Sequence, residues 1–202
     1  MSYTLVTAPT AFPVTLEETK IFLRLNDISL EDSFINLLIQ AATRSAEIYT
    51  QRRFITQTWK YSLDVFPNKM KPGGFWPGVI MLPYPPCQSV TSVKYYDSQG
   101  TQRTLQANTD YVVESDSEPT RIVPAPNRVW PATQTDRTNC VEIIFVCGYG
   151  ADGTFVDPMI KQAILLTVAH FYENRGELID LNLKTAPKTS EWLLMPFRDL
   201  RY

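Results

Sequence analysis

The spacing of hydrophobic positions changes along the chain, and each spacing predicts a different kind of element. Residues 16–26 and 30–49 carry apolar side chains three to four positions apart, which is typical of one face of a helix. Thr15 and Glu18 have the spacing of a capping box at the start of the first helix, and Ser29 is the predicted N-cap of the second. The second helix is predicted to bury the stripe Phe34, Leu37, Leu38, Ala41, Ser45, Ile48 and Tyr49.

Between residues 54 and 153 the period falls to two, as in residues 59–65, where aromatic and aliphatic side chains alternate with polar ones. That alternation predicts half-buried strands. Further strands are predicted at 79–82, 90–96, 111–113, 121–123 and 141–146. Most of the prolines and tryptophans also lie in this stretch. Because proline is confined to turns and strand edges, the middle of the chain is predicted to be β-rich with long loops.

The clearest helix begins at Asp157, a good N-cap, with Pro158 at the first helical position. Arg175 and Gly176 are predicted to close it, and a short helix is predicted at 190–194. Its predicted apolar face is Ile160, Ile164, Leu165, Val168, Phe171 and Tyr172.

The fold class is therefore predicted as α+β, a small α-helical bundle with an inserted β-rich domain. N-terminal helices and the long C-terminal helix form the bundle. The predicted boundaries are 1–53 and 154–202 for the helical core domain, and 54–153 for the inserted antiparallel β-rich domain.

Composition narrows the possible functions. The chain has 202 residues, of which 44% are hydrophobic and 20% charged, as in an ordinary globular protein. Lys and Arg number 19 against 21 Asp and Glu, for a net charge of −2. This near-balance argues against a strong nucleic-acid binder, which needs a cationic face.

No apolar run is long enough for a membrane span, and residues 1–10 lack the features of a signal peptide. With three cysteines, we expect reduced thiols in a cytoplasm-like compartment.

Candidate catalytic and metal-binding residues are few. His170 is the only histidine and lies beside the apolar stripe of the long helix, so a partly buried structural role is expected. Cys140 and Cys147 are seven positions apart on one predicted strand. An odd offset places them on opposite faces, where they cannot chelate one metal, and small core thiols are expected.

A glycine-rich loop offers the strongest match to a cofactor motif. Residues 148–153 read GYGADG and fit G-x-G-x-x-G between a strand and a helix. Asp157 comes four residues after the last glycine, however, and puts a carboxylate where a phosphate would bind. No second parallel strand follows to carry a ribose-binding acid. A flexible exit from the sheet is expected instead, and we predict no catalytic, cofactor or metal residue and no enzyme activity.

Two further segments, one acidic and one aromatic, are candidate binding sites. Asp110, Glu114 and the two acidic residues that follow could hold Ca²⁺, but their spacing is not an EF-hand and a solvated turn is expected. The loop at 72–78 carries Phe75 and Trp76. These two aromatics either anchor a partner or fold back onto the sheet, and the sequence favours neither.

Several residue runs resemble the head–tail connector, or adaptor, proteins of long-tailed bacteriophages. The resemblance extends from about Pro13 to Arg198, and the order and spacing of the runs carry it together. The runs are PVTLEE at 13–18, YTQR at 49–52, FITQTW at 54–59, PPCQSVTSVKYYD at 85–97, RIVP at 121–124, WP at 130–131, GYG at 148–150, IKQAILL at 160–166 and HFYENR at 170–175. The family often has Gly where this chain has Gln51.

The resemblance implies a structural protein that forms a ring of its own copies, typically a dodecamer, under the portal protein of a filled head. Such a ring extends the DNA channel and docks the next connector, stopper or tail-completion protein. The implied place is the head–tail joint of the virion, after assembly in the host cytoplasm, with DNA passing through the channel without specific binding and no membrane involved. The implied portal-binding residues are Trp192, Leu193, Leu194, Pro196, Phe197 and Arg198.

Simple physics is compatible with this role. A ring needs two different patches on each subunit, meeting head to tail. A near-neutral channel lets DNA slide, whereas a cationic one would hold its phosphates. Two alternatives stay open at this point. One is a tail-tube or tail-completion protein, and the other is an enzyme that binds a nucleotide at the glycine loop.

Overall fold

A computed structural model describes residues 1–25, 29–67, 78–174 and 188–199. In these ranges the chain forms helices and antiparallel strands, and the predicted α+β class is confirmed. The elements are β1 (Ser2–Thr7), α1 (Leu16–Leu23), α2 (Asp32–Thr50), β2 (Gln57–Leu63), β3 (Ile80–Met81), β4 (Cys87–Tyr96), β5 (Gln102–Leu105), β6 (Tyr111–Glu114), β7 (Arg121–Pro124), β8 (Val141–Cys147), α3 (Pro158–Glu173) and α4 (Lys188–Leu194). Two 3₁₀ turns cover Gly153–Phe155 and Met195–Phe197.

The chain divides into two compact units. The sheet unit consists of Met1–Ala8 and Thr56–Gly148, and the helical unit of Pro9–Ile55 and Tyr149–Tyr202. Residues 1–8 were predicted to belong to the helical core domain. They lie in the sheet unit instead, because β1 pairs with β2. Within the described residues, no helix is both long and apolar enough to cross a bilayer.

The sheet unit contains a five-stranded antiparallel sheet in the order β1-β2-β8-β4-β5 and a three-stranded one in the order β3-β7-β6. β8 is the central strand of the five-stranded sheet and pairs with β2, with Trp59 opposite Phe145 and Tyr61 opposite Ile143. These four side chains are buried. On β8 the buried positions alternate strictly with half-buried ones, because successive side chains of a strand point to opposite faces of the sheet.

The helical unit packs α1 to α4 around one apolar core. α1 begins with the predicted capping box, since the Thr15 hydroxyl accepts from the Glu18 N–H and the Glu18 carboxylate accepts from the Thr15 N–H. α3 begins as predicted, with the Asp157 carboxylate accepting from the Met159 N–H at 2.8 Å and Pro158 at the first helical position. The predicted end of α3 at Arg175 and Gly176 lies outside the described residues.

Predictions for α1 and α2 were partly wrong. α1 ends at Leu23 rather than near Asn26. α2 starts at Asp32 with Glu31 as N-cap, so Ser29 is not the cap.

The predicted inward stripe of α2 was also misplaced by about one position. Leu37 and Ile48 are 58% and 54% exposed, and Ala41 and Ser45 are exposed too. Leu38 is buried as predicted, and Phe34 and Tyr49 pack against the core. The other buried positions are Ile35, Ile39, Ala42, Thr43, Ala46, Glu47 and Thr50. α2 has apolar residues on more than one side, so the packing against α3, and not the period alone, decides which side is buried.

Candidate partner-binding surface

The C-terminal segment, defined here as residues 188–199, lies against the helical unit. α4 contacts both α2 and α3. Leu194 is 5% exposed and belongs to the core of the unit, while Leu193 and Phe197 pack against that core. Ser190 and Asp199 are buried as well. The inner side of the segment is therefore part of the folded unit.

One backbone and one side-chain hydrogen bond tie the segment to the end of α2 and the residues just after it. The Asp199 N–H donates to the Thr50 carbonyl at 3.0 Å, and the Arg52 Nε–H donates to the Phe197 carbonyl. The last carbonyls of a helix lack partners within the helix, so Asp199 satisfies one of them. Gln51 ends α2 in the left-handed region at φ 56°, a conformation that favours glycine. This geometry fits the frequent Gly at that position in the family that the chain resembles.

The outer side of the same segment is apolar and exposed. Trp192 is 72% exposed and Met195 is 67% exposed. Pro196 and Arg198 are also exposed, and the Arg198 guanidinium carbon lies 5.4 Å from the centroid of the Tyr49 ring. Large exposed side chains on an ordered segment are the kind that anchor protein interfaces, where tryptophan and arginine are enriched. We call Trp192, Met195, Pro196 and Arg198 the outer face.

The six residues implied for portal binding are thus brought together but divided between two environments. Trp192, Pro196 and Arg198 lie on the outer face, whereas Leu193, Leu194 and Phe197 contact the helical core. Met195 was missed by the sequence reasoning. Its spacing of three from Trp192, with a buried leucine between, could have indicated that the two share a side of the segment. Binding by any of these residues stays a prediction.

A shallow cleft of about 120 Å³ borders the segment, lined by residues of α2, α3 and α4. His170 is one of its lining residues and is half-buried. Its ring Nδ1 lies 3.2 Å from the Asn174 amide nitrogen, which also donates to the His170 carbonyl at 2.8 Å. These contacts hold the ring at the end of α3, in keeping with the expected structural role.

The glycine-rich loop connects β8 to the 3₁₀ turn, and its glycines are needed for internal packing. A Cβ on Gly150 would lie 2.2 Å from the Phe155 ring, and one on Gly153 would lie 2.2 Å from the Pro13 carbonyl oxygen. The Asp152 carboxylate accepts from the Thr154 N–H at 2.8 Å and caps the turn. Hydrogen bonds from the Thr154 hydroxyl and N–H lower the pKa of Asp152. Carboxylates thus cap the 3₁₀ turn and α3, and neither of these two N-termini is open to a phosphate.

The remaining candidate sites are the possible metal ligands, the cysteines and the acidic turn. Among the described residues, no group of His, Cys, Asp and Glu could hold a metal ion. Cys87, Cys140 and Cys147 are not in disulfide bonds, and burial raises the pKa of Cys87 and of Cys140. The Asp110 carboxylate accepts from the Gln106 N–H at 2.9 Å and so stabilises a turn. The loop with Phe75 and Trp76 lies outside the described residues.

The sequence profile of the phage gp6-like head-tail connector protein family matches residues 13–118, a little over half of the chain. The chain belongs to this family. It is therefore a head–tail connector protein, as the sequence runs indicated. The family is structural and not enzymatic, which agrees with the prediction of no enzyme activity. The matched range ends before β7, so it does not include the C-terminal segment.

Solved structures with the same fold come from gene transfer agent (GTA) particles. A chain from the "Virion of native gene transfer agent (GTA) particle" is 23% identical, with a TM-score of 0.79 over 100% of the connector and 97% of that chain. A chain from the "Neck of empty GTA particle computed with C6 symmetry" is 22% identical, with a TM-score of 0.79 and the same coverage.

A third chain, from the "Neck of native GTA particle computed with C12 symmetry", is 21% identical with a TM-score of 0.71, again over 100% of the connector and 97% of that chain. These likenesses extend over the whole chain and show the fold. No curated protein sequence matches the connector.

Proposed function

We propose that the connector forms a ring of its own copies in the neck of a tailed phage or GTA-like particle, and that the outer face of its C-terminal segment docks on the portal protein. The opposite end of the ring docks the next connector or tail component. The single observation that carries the portal contact is the exposure of Trp192 and Met195 on a segment whose inner side is fixed in the helical core.

An ordered docking segment supports affinity. Because Leu194 and the hydrogen bonds to α2 already hold the segment, little conformational entropy is lost when a partner covers the outer face. Trp192 supplies a large area for burial, and Arg198 supplies donors for a carbonyl or carboxylate at the rim of the contact.

Two observations support the ring. The neck structures of GTA particles that contain a chain of this fold were computed with C6 and C12 symmetry. A cyclic arrangement would place the DNA channel along its axis, and a dodecamer is the number that the family resemblance implies. The net charge of −2 suits a channel through which DNA moves without specific binding, because strong phosphate contacts would need a cationic lining.

The test measures binding of the connector to the portal protein of the same particle with purified proteins. The double variant Trp192→Ala and Met195→Ala is expected to weaken binding by at least tenfold, since the anchors of an interface carry most of its affinity. Val129→Ala is the matched control, because Val129 is also 72% exposed but lies in the sheet unit. This control should bind as the wild type does.

Equal binding by the double variant and the wild type would show that the outer face is not the portal contact. Particles provide a second result. If the wild-type connector copurifies with headless tails and not with heads, the tail-tube or tail-completion alternative replaces the portal adaptor.

A further inference from the structure

β1 is an edge strand whose regular part, residues 2–5, carries no charge or proline, and its bulge lies beyond Leu5. All six of its residues are exposed, including Leu5 at 42% and Val6 at 53%. The strand reads SYTLVT, with no charge, proline or glycine, and is rich in residues that favour strands. β2 is its neighbour in the sheet, and its other side has no strand partner among the described residues. Proteins normally blunt such edges with charges, proline or covering segments, so an exposed one attracts another strand.

The edges of the smaller sheet are different. β3 is only two residues long and its Ile80 is 3% exposed, while β6 begins at Tyr111, which is also 3% exposed. Short or buried edges are poor templates for pairing. β1 is therefore the edge strand to which another strand would add most readily.

β5 forms the opposite edge of the same five-stranded sheet, about 19 Å away at the usual strand spacing of about 4.8 Å. Residues 102–104 are exposed and Leu105 is half-buried. The only charged residue of β5, Arg103, already bonds Asp97 at 2.9 Å. Pairing β1 with β5 would therefore bury no unpaired charge.

The two edges also match in length and direction. β1 has a bulge between Leu5 and Thr7, which leaves Ser2 to Leu5 as four regular residues, and β5 has four residues. Since every neighbouring pair in the sheet is antiparallel, β1 and β5 run in the same direction. A small rotation about a ring axis keeps that direction, so the two edges of neighbouring copies would form a parallel pair.

We propose that β1 of one copy adds to β5 of the next copy, so that the five-stranded sheet continues from subunit to subunit. This inference rests on the ring proposed above. Opposite edges of one sheet are two different surfaces that face in opposite directions, as a head-to-tail ring requires. Backbone hydrogen bonds would hold neighbours together, and both edges of the five-stranded sheet would be paired once the ring has closed.

Cross-linking in particles that carry the connector tests this pairing. Cys87→Ser serves as background, because Cys87 is half-buried whereas Cys140 and Cys147 are buried. Thr4→Cys and Thr104→Cys are added singly and together, both at exposed positions of the facing edges. A bismaleimide then joins thiols that lie close, and denaturing gels with an immunoblot show the size of the products.

The double variant is expected to give a ladder of covalent multimers, because each copy offers one thiol to either neighbour. Each single variant should give only monomer, since a head-to-tail contact does not bring identical positions together. Ser2→Cys with Gln102→Cys is a second pair, used if the first pair reduces incorporation into particles.

Monomer alone from incorporated double variants would overturn the edge pairing and leave the connector role intact. Dimers from the Thr4→Cys variant alone would overturn it in favour of two β1 edges pairing with each other. Absence of the wild-type connector from particles would instead contradict the proposed function itself.

Discussion

Trp192 and Leu194 lie two positions apart on α4 and have opposite surroundings. Leu194 is 5% exposed in the core of the helical unit, whereas Trp192 is 72% exposed. Truncating a buried leucine removes packing and leaves a cavity, but truncating an exposed side chain removes little from the folded state. The two residues therefore separate the stability of the C-terminal segment from its binding.

Leu194→Ala is expected to lower the free energy of unfolding by about 2–5 kcal/mol, because its side chain fills the core between the helices. Trp192→Ala should change it by less than about 0.5 kcal/mol. Urea denaturation followed by circular dichroism measures both values. A large loss of stability in the Trp192 variant would contradict the assignment of Trp192 to a free outer face.

The aromatic and leucine residues of 192–198 could be recognised from the sequence, but their sidedness could not. Which of them faces inward depends on where α2 and α3 place their surfaces, and that is a tertiary property. The same limit applied to Leu37 and Ile48, which the period placed in the core of the helical unit and the structure places on its surface.

At the scale of elements, α1 is held by contacts at its start. Glu18 closes the capping box, and its carboxylate also lies 2.6 Å from Lys161 of α3. Burial acts to raise the pKa of Glu18, but the hydrogen bonds and charge of Lys161, with the N–H and hydroxyl of Thr15, outweigh it and hold the pKa below its ordinary value. The charged form is therefore favoured in the folded state.

Because the pKa of Glu18 is lowered by folding, its contribution to stability is complete above the unfolded pKa of about 4.3 and is lost as the pH falls below that value. Glu18→Gln keeps a residue that can close the capping box but removes the charge. The variant should be less stable than the wild type at pH 7, and the difference should shrink as the pH falls below the unfolded pKa and through the lowered folded pKa.

Thermal unfolding at several pH values measures this difference, with Glu17→Gln as a control in the same helical turn. A Glu18→Gln difference that stayed constant down to pH 3 would contradict a role for the carboxylate charge.

Elements with local signals could be predicted, and elements that depend on a neighbour could not. The capping box at Thr15 and the Asp157–Pro158 start of α3 depend only on residues close together in the sequence. Both were found where expected. β1 and β5 were not predicted, because a short strand becomes one by pairing with β2 or β4. The edge surfaces proposed for the ring were missed for this reason.

At the scale of the whole molecule, the connector combines a helical unit with a sheet unit, and each unit carries a different proposed contact. Trp192 and Met195 of the helical unit are proposed to contact the portal protein, and β1 and β5 of the sheet unit are proposed to contact neighbouring copies. The function could be predicted from the family resemblance. Composition and motifs alone predicted only an interaction domain without catalytic residues. Near-balanced charge and the close-packed glycine loop are consistent with a structural part.

Electron microscopy of particles produced when the gene is deleted tests the central claim most directly. A connector between head and tail is expected to leave DNA-filled or leaking heads beside free, complete tails, and the wild-type gene supplied in trans should restore joined particles. Heads joined to normal tails in the absence of the connector would contradict its proposed place at the neck.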